Sequence, residues 1–547
     1  MYLYSQLSFI TWPQTIVAVV AGVTAAVILA RNTFLGRILN RLLSRLIHFW
    51  LIRKYPLTSA SDGRSIATCP YNWPNGQGDI GKFLEGERNS KIWGSTHGSV
   101  YRIWNGMTPE IVLSDPADVQ VVFRDSHNHT KAINNDAGWL MGELLGRCLG
   151  LISGDPYQSV KSATTPLFTH RAAGLHFQRI SSAISAYLDG PEMQERLGRG
   201  VLNPVADLRM LPFWIIAGIL YGNHLGSQFK AELESLVILR EFLWARMIKG
   251  GSTRFSWSQY LRIETTRVLL EYKRRWSKFN QDAKDLCLRS GEEKALIVSM
   301  YEAVAQGSME MDQLLQTIDE MLFANLDVTM GGVSWNLLFL AAHQEVQYQI
   351  REEMGQARGK GRLPHHPTTA RGSSWDEYVQ SSSTMLAAAV LESARLKPLA
   401  AFTVPQSAPT ARVVGGGFVV PAGTNFVVDT HAVNIANPFW GADGGIYRPS
   451  RFLGSKASSE LRYQYWRFGF GPRQCLGKFV VELMVRLLVA HLVEGYRLEM
   501  TEATSWDKNP DTWIMHPDTE IRCQKLCAIA KASSLVGETR NEEKISG

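Results

Sequence analysis

The ten residues Phe468-Gly469-Phe470-Gly471-Pro472-Arg473-Gln474-Cys475-Leu476-Gly477 put a single cysteine in a glycine-rich loop, with Arg473 two positions before it. An apolar helical run, residues 478–492, follows at once. A thiolate needs its charge satisfied, and the backbone N–H groups of a tight loop at a helix N-terminus supply that. Gly471 and Gly477 let the backbone approach a flat ligand with no Cβ between them. Arg473 can pair with an acid on that ligand. Cys475 is thus set up as a permanent metal ligand rather than an inert buried thiol.

Three further groups of residues stand upstream. Glu392 and Arg395 are three apart in an apolar run, 385–396, that reads as a helix stopped by Pro398. Pro449-Ser450-Arg451-Phe452 follows Tyr447-Arg448. Residues 311–343 read as a long helix, apolar almost all round, carrying Ala324-Asn325-Leu326-Asp327-Val328-Thr329.

The pattern Phe-x-x-Gly-x-Arg-x-Cys-x-Gly resembles the haem-binding loop of the cytochrome P-450 superfamily, and the other three segments follow the order that family requires. The resemblance implies that Cys475 is the proximal iron ligand, with Arg473, Phe468, Gly471 and Gly477 in the haem-binding loop. It implies that Glu392, Arg395 and Arg451 form a buried charged triad that holds the haem core. On the distal side the family pattern is Ala/Gly-Gly-x-Asp/Glu-Thr-Thr/Ser, an acid and an alcohol that relay protons. This sequence departs from it twice: Asn325 replaces the glycine, and Val328 takes the usual threonine position, one before Thr329. A helix turns about 100° per residue, so Thr329 is expected to face the iron only through a local distortion. Asp327 and Thr329 are the candidate catalytic groups, or else ordinary polar groups of the helix. The family's Trp-x-x-x-Arg, which reaches a haem propionate, has its best match in Tyr157-Gln158-Ser159-Val160-Lys161. There Lys161 would bind a carboxylate as a point charge.

The elements that position these residues read as mainly α with minor β, the family's triangular α+β fold, preceded by an N-terminal transmembrane helix. Residues 1–30 carry no charged side chain, and residues 13–30 are 18 mostly apolar positions, about 27 Å of helix. Arg31, Arg37, Arg41, Arg45, Arg53 and Lys54 follow with no acid among them, close to the whole net charge of +7. Positive charge after the span keeps the next domain cytosolic. The expected organisation is an anchor over 1–30, a basic amphipathic segment and turn-rich hinge over 31–78, and a catalytic domain over 79–547. The amphipathic segment suits an anionic lipid surface. Hairpins are expected at 99–114, around Asn105-Gly106, and at 417–428, around Pro421-Ala422-Gly423. Six scattered cysteines give no disulfide framework. No basic patch is interleaved with aromatics for base stacking, so no nucleic acid is expected.

By the same resemblance the cofactor is haem b, with electrons from NADPH through a partner reductase, at the endoplasmic reticulum membrane. The co-substrate is dioxygen. The pocket is expected to hold a lipophilic, medium-sized small molecule against Leu326, Phe402, Trp139 and Trp513. The segment 129–154 is similar to fungal members that work in secondary-metabolite biosynthesis. Two other functions stay open: a reductase-independent isomerase or peroxide-driven enzyme, and a haem-dependent binding or sensor protein.

Overall fold

The computed structural model describes residues 33–131, 138–222, 225–261, 263–292, 295–359, 375–454, 458–510, 512–514 and 516–526. The expected anchor at residues 1–30 lies outside them. Among the described residues no helix is long and apolar enough to cross a membrane. The five cysteines in this set are all free thiols.

Helices dominate, with sheets of five, three and two strands among the described residues. In the larger sheet β1 (Val100–Asn105) and β2 (Thr108–Leu113) form the antiparallel hairpin that Asn105-Gly106 forecasts, with Asn105 opposite Thr108. Gly106 turns the chain at φ +56°, a conformation open to glycine at little cost. β3 (Thr130–Lys131), β4 (Gln406–Ser407) and β5 (Asn425–Val428) complete the sheet in the order β1-β2-β5-β4-β3.

The second expected hairpin is built differently. Phe418–Val420 turns back on Arg412–Val414 through Gly415, Gly416 and Gly417, all at positive φ. Pro421 to Thr424 then carries the chain to another sheet, where β5 runs parallel to β2 with Glu110 opposite Asn425. The three glycines supply the sharper turn, and the proline lacks the N–H that a ladder needs.

Four helices frame the site, and an exposed one precedes them. α1 (Phe34–Lys54) starts at Thr33, whose hydroxyl accepts from the Gly36 N–H at 3.0 Å. α2 (Gly154–Thr164) carries Tyr157 and Lys161 one turn apart. α3 (Met311–Ala342) opens on a reciprocal cap between Glu310 and Gln313. α4 (Met385–Leu396) is capped by Thr384 and ends one residue before the Lys397-Pro398 step. α5 (Lys478–Gly495) leaves the cysteine loop.

α3 is the axis of the main core. Leu314, Ile318, Leu322, Leu326 and Met330 recur every four residues and are all buried, so this stripe packs inward. Burying one such leucine contributes roughly 2 kcal/mol. The stripe on the other side, Glu320, Ala324, Val328 and Gly332, borders a cavity instead.

Candidate active site

The cavity has a volume of about 830 Å³ and lies between the Cys475 loop and α3. The loop from Phe468 to Lys478 forms one wall. Within it the Cys475 N–H donates to the Phe468 carbonyl at 2.8 Å, which closes the turn. Phe468 sits at φ +63°, a strained conformation for a non-glycine residue that ordinarily marks a functional turn. Gly471 is at φ +63°, and a Cβ there would stand 2.5 Å from the Ser126 hydroxyl. The protein's own packing therefore requires glycine at 471, which also borders the cavity. A Cβ on Gly477 would meet only an ordinary contact with Val481. Cys475 is exposed to the cavity. Burial among protein atoms pushes its thiol up, against the Gly477 N–H, which favours the thiolate.

Arg473 stands beside it in an unfinished setting. One guanidinium nitrogen, Nη2, donates to the Ile152 carbonyl and the Ser153 hydroxyl, both at 2.7 Å. The other, Nη1, is buried without a partner. The guanidinium lies 3.6 Å over the Tyr157 ring. The Tyr157 hydroxyl donates to the Pro472 carbonyl, and Lys161 Nζ reaches the same oxygen at 3.4 Å. An orphaned, buried cationic N–H is costly unless an acceptor arrives. A flat dicarboxylate whose metal faces Cys475 would supply that acceptor to Arg473 Nη1, within reach of Lys161. The residues present therefore fit a haem.

Behind the loop, Glu392 is wholly buried between two arginines. Arg395 grips it with Nε to Oε2 at 2.7 Å and Nη2 to Oε1 at 2.8 Å. Arg451 Nε reaches Oε1 at 3.2 Å, and the Arg448 backbone N–H donates to the same oxygen at 3.0 Å. Arg395 Nη1 also ties down the carbonyls of Asn434 (2.9 Å) and Gly444 (2.7 Å). Arg451 binds Asp443 and the Trp440 carbonyl. The carboxylate thus fastens α4 to the segment 434–452 that leads into the cysteine loop.

On the α3 side the expected residues divide. Val328 and Thr329 both border the cavity. α3 is α-helical throughout its length, so the distortion expected for Thr329 is not needed. The cavity is broad enough to take in a second stripe of the helix, where Met321, Thr329 and Asn336 lie. Asp327 is turned about 100° away from Val328. It does not border the cavity. Its Oδ1 accepts from Arg209 Nε at 3.1 Å and Nη2 at 2.8 Å, and its Oδ2 from Trp513 Nε1 at 3.2 Å. Arg209 also pairs with Glu241, whose side chain is 44% exposed.

Among the expected pocket residues, Phe402 and Trp513 border the cavity. Leu326 instead belongs to the inward stripe and is buried in the core. Trp139, at the start of a short helix Trp139–Leu145, packs against the same core and does not line the cavity. Among the cavity residues that the sequence did not point to are Lys131 and Glu320. The signal for Glu320 was weak: at four-residue spacing it follows Asp312 and Gln316 and directly precedes Ala324 and Val328.

The haem-shaped site on a mostly helical frame agrees with the comparisons. The family model described as Cytochrome P450 matches residues 88–523, so the chain belongs to that family. It is 48% identical over 480 residues to Cytochrome P450 monooxygenase aclC of Aspergillus oryzae, across 87% of this chain and 95% of that one. It is 42% identical over 484 residues to monooxygenase asaD of Aspergillus flavus, across 88% and 91%. A crystal structure of a cytochrome P450 (CYP102L1) superposes with a TM-score of 0.63 at 18% identity, covering 81% of this chain and 98% of that one, a likeness of fold. The chain is a haem-thiolate monooxygenase of the type its fungal relatives represent. Such an enzyme takes a haem, a substrate, dioxygen and electrons from a redox partner.

Proposed function

We propose that this monooxygenase oxidises a lipophilic, medium-sized molecule in a step of fungal secondary metabolism, using haem b and electrons from a membrane NADPH reductase. The observation that carries the reading is the 830 Å³ cavity, mostly apolar, between the Cys475 loop and α3. It has room for the haem and a second molecule of moderate size. When bound, the haem supplies the activation of dioxygen. The chain's residues do the rest. Cys475 holds the iron, and Arg473 and Lys161 hold the carboxylates that orient the ring. Phe402, Trp513 and the apolar stripe of α3 exclude water and seat the substrate.

Asp327 is the proton entry in this reading. Arg209 and Glu241 connect it to solvent on one side, and the next two residues of α3 border the cavity on the other. Thr329 offers the hydroxyl on the cavity wall that takes the proton onward, with water bridging.

Membrane attachment belongs to the same proposal, with residues 1–30 as a single-pass anchor in the endoplasmic reticulum and the domain from residue 79 in the cytosol. α1 supports it. Phe34, Leu35, Leu42, Leu46 and Phe49 are each more than half exposed, alongside Arg37, Arg41, Arg45, Arg53 and Lys54. An apolar stripe this exposed, edged with cations, suits the headgroup boundary of an anionic bilayer.

Reconstitution with NADPH-cytochrome reductase, dioxygen and extracts from a strain lacking the gene tests the function. The precursor that accumulates should drive NADPH consumption and disappear into an oxygenated product. Turnover with no electron donor would replace this reading with the isomerase; binding with no turnover would replace it with the sensor.

A further inference from the structure

The carboxylate of Glu320 is an ionisable group in the wall of an otherwise apolar stripe. It lies one turn before Ala324 and two before Val328 on α3, and all three border the cavity. Its carboxyl is held, not loose. Oε2 accepts from the Gly150 backbone N–H at 2.9 Å. A Cβ on Gly150 would overlap the carboxylate, so the glycine is what lets the loop 148–151 come this close. Burial pushes the carboxyl up from its usual value, against the Gly150 N–H and the attraction of Lys131.

Nothing in the haem-holding machinery needs this group. Arg473 Nη1 and Lys161 are cations and suit the haem carboxylates, whereas an acid would repel them. Glu320 takes no part in the Asp327 to Thr329 path either, being two turns away. Among the described residues Glu320 has one hydrogen bond, from the Gly150 N–H, and a carboxylate bordering a mostly apolar cavity is costly unless something more donates to it. In an apolar pocket, a few such groups fix a ligand's orientation.

Resting on the monooxygenase reading above, we propose that Glu320 is the substrate-positioning residue of the cavity. It accepts a hydrogen bond from a nitrogen-bound hydrogen of the substrate, and so selects for lipophilic molecules with an amide N–H or a protonated amine. The contact sets which carbon faces the iron side of the pocket. A neutral hydrocarbon scaffold of the same size leaves the carboxylate desolvated and unpaired, and binds less well.

Three matched probes test this on the haem-loaded full-length protein: N-benzyl-2-naphthamide, its N-methyl derivative, and N-benzyl-N-methyl-2-naphthylmethylamine, which is cationic at neutral pH. Dissociation constants come from the Soret shift on binding, in wild type, Glu320→Gln and Glu320→Leu. In wild type the secondary amide or the amine should bind about tenfold more tightly than the N-methyl amide, and Glu320→Leu should erase that preference. Glu320→Gln can still accept from an amide N–H, so it should keep the amide's preference and lose any for the amine. The better donor in wild type tells which of the two nitrogen chemistries the site takes. Equal binding of all three probes in wild type overturns the proposal, as does a preference that survives Glu320→Leu. The carbon monoxide difference band of each variant is read in parallel. Its retention shows that the haem-thiolate site stands, which separates failure of Glu320's role from failure of the enzyme class.

Discussion

Removing the Glu392 side chain should cost more than any other single change outside the cysteine loop. Glu392 is fully buried and faces two guanidiniums, Arg395 with 0% and Arg451 with 4% side-chain exposure. In Glu392→Ala both cations remain, along with the Arg448 N–H that donated to the same carboxylate. Burying charge without compensation costs about 3–5 kcal/mol when one partner of such a pair is deleted. Proteins are held folded by roughly 5–15 kcal/mol, so about a fifth or more of the total is at stake. With a urea slope near 3 kcal/mol/M, the unfolding midpoint should fall by about 1 M. Tryptophan fluorescence during urea unfolding reads that midpoint. Haem retained after gel filtration reads the consequence for the site, since α4 and the segment leading to the cysteine loop come apart together. Glu392→Gln keeps the shape and should fall between wild type and Glu392→Ala. If Glu392→Ala unfolds within about 0.5 kcal/mol of wild type and keeps its haem, the reasoning about uncompensated charge is wrong here.

Asp327→Asn should slow product formation at least tenfold with haem content and substrate binding near normal, measured with reductase and dioxygen; full activity would remove Asp327 from the proton path. Thr329→Val should do less, chiefly releasing reduced oxygen as peroxide. Protein lacking residues 1–30 should still co-sediment with anionic vesicles, and Leu39→Glu, Leu42→Glu, Leu46→Glu together should abolish that, because each leucine gives up roughly 1.5–3 kcal/mol of burial in the bilayer boundary. Unchanged sedimentation of the triple variant would remove α1 from the membrane. Two groups two residues apart, Asp429 and His431, should give opposite pH dependences. Burial raises Asp429 to about 6, so the stability linked to it is present below about pH 4 and lost as pH rises through 6. Burial lowers His431 to about 4, so its contribution is present above about pH 6.5 and lost as pH falls through 4. Each amounts to about 3 kcal/mol and they offset in wild type. Asp429→Asn should therefore gain stability relative to wild type by about that amount between pH 4 and 6 in thermal unfolding; a constant difference across that range would contradict the assignment.

The sequence disclosed the site unevenly, and the reasons are physical. The cysteine loop, the Glu392–Arg395 spacing and the segment carrying Arg451 are local patterns, so their positions could be read before any contact was known. The long helix α3 was legible from its composition, but not which residues face the cavity, because a helix apolar all round has no polar face to orient it. Leu326 and Val328 look alike in sequence and lie about 200° apart around the axis. Glu320 ends a polar run at four-residue spacing, Asp312, Gln316, Glu320, so its place at the cavity rather than in solvent did not stand out. The partners of Asp327 could not be read either, since Arg209 and Trp513 lie 118 and 186 residues away. At 417–428 the prolyl turn was the more visible signal, yet three consecutive glycines at positive φ made the turn.

The direct test of the enzyme class is the Soret band of the reduced carbon monoxide complex, in wild type and in Cys475→Ala. A thiolate ligand shifts that band to the red, so wild type should show it. Cys475→Ala should lose it while its far-ultraviolet circular dichroism stays that of the folded chain. A red-shifted band that survives in Cys475→Ala would place another ligand on the iron and contradict the assignment of Cys475.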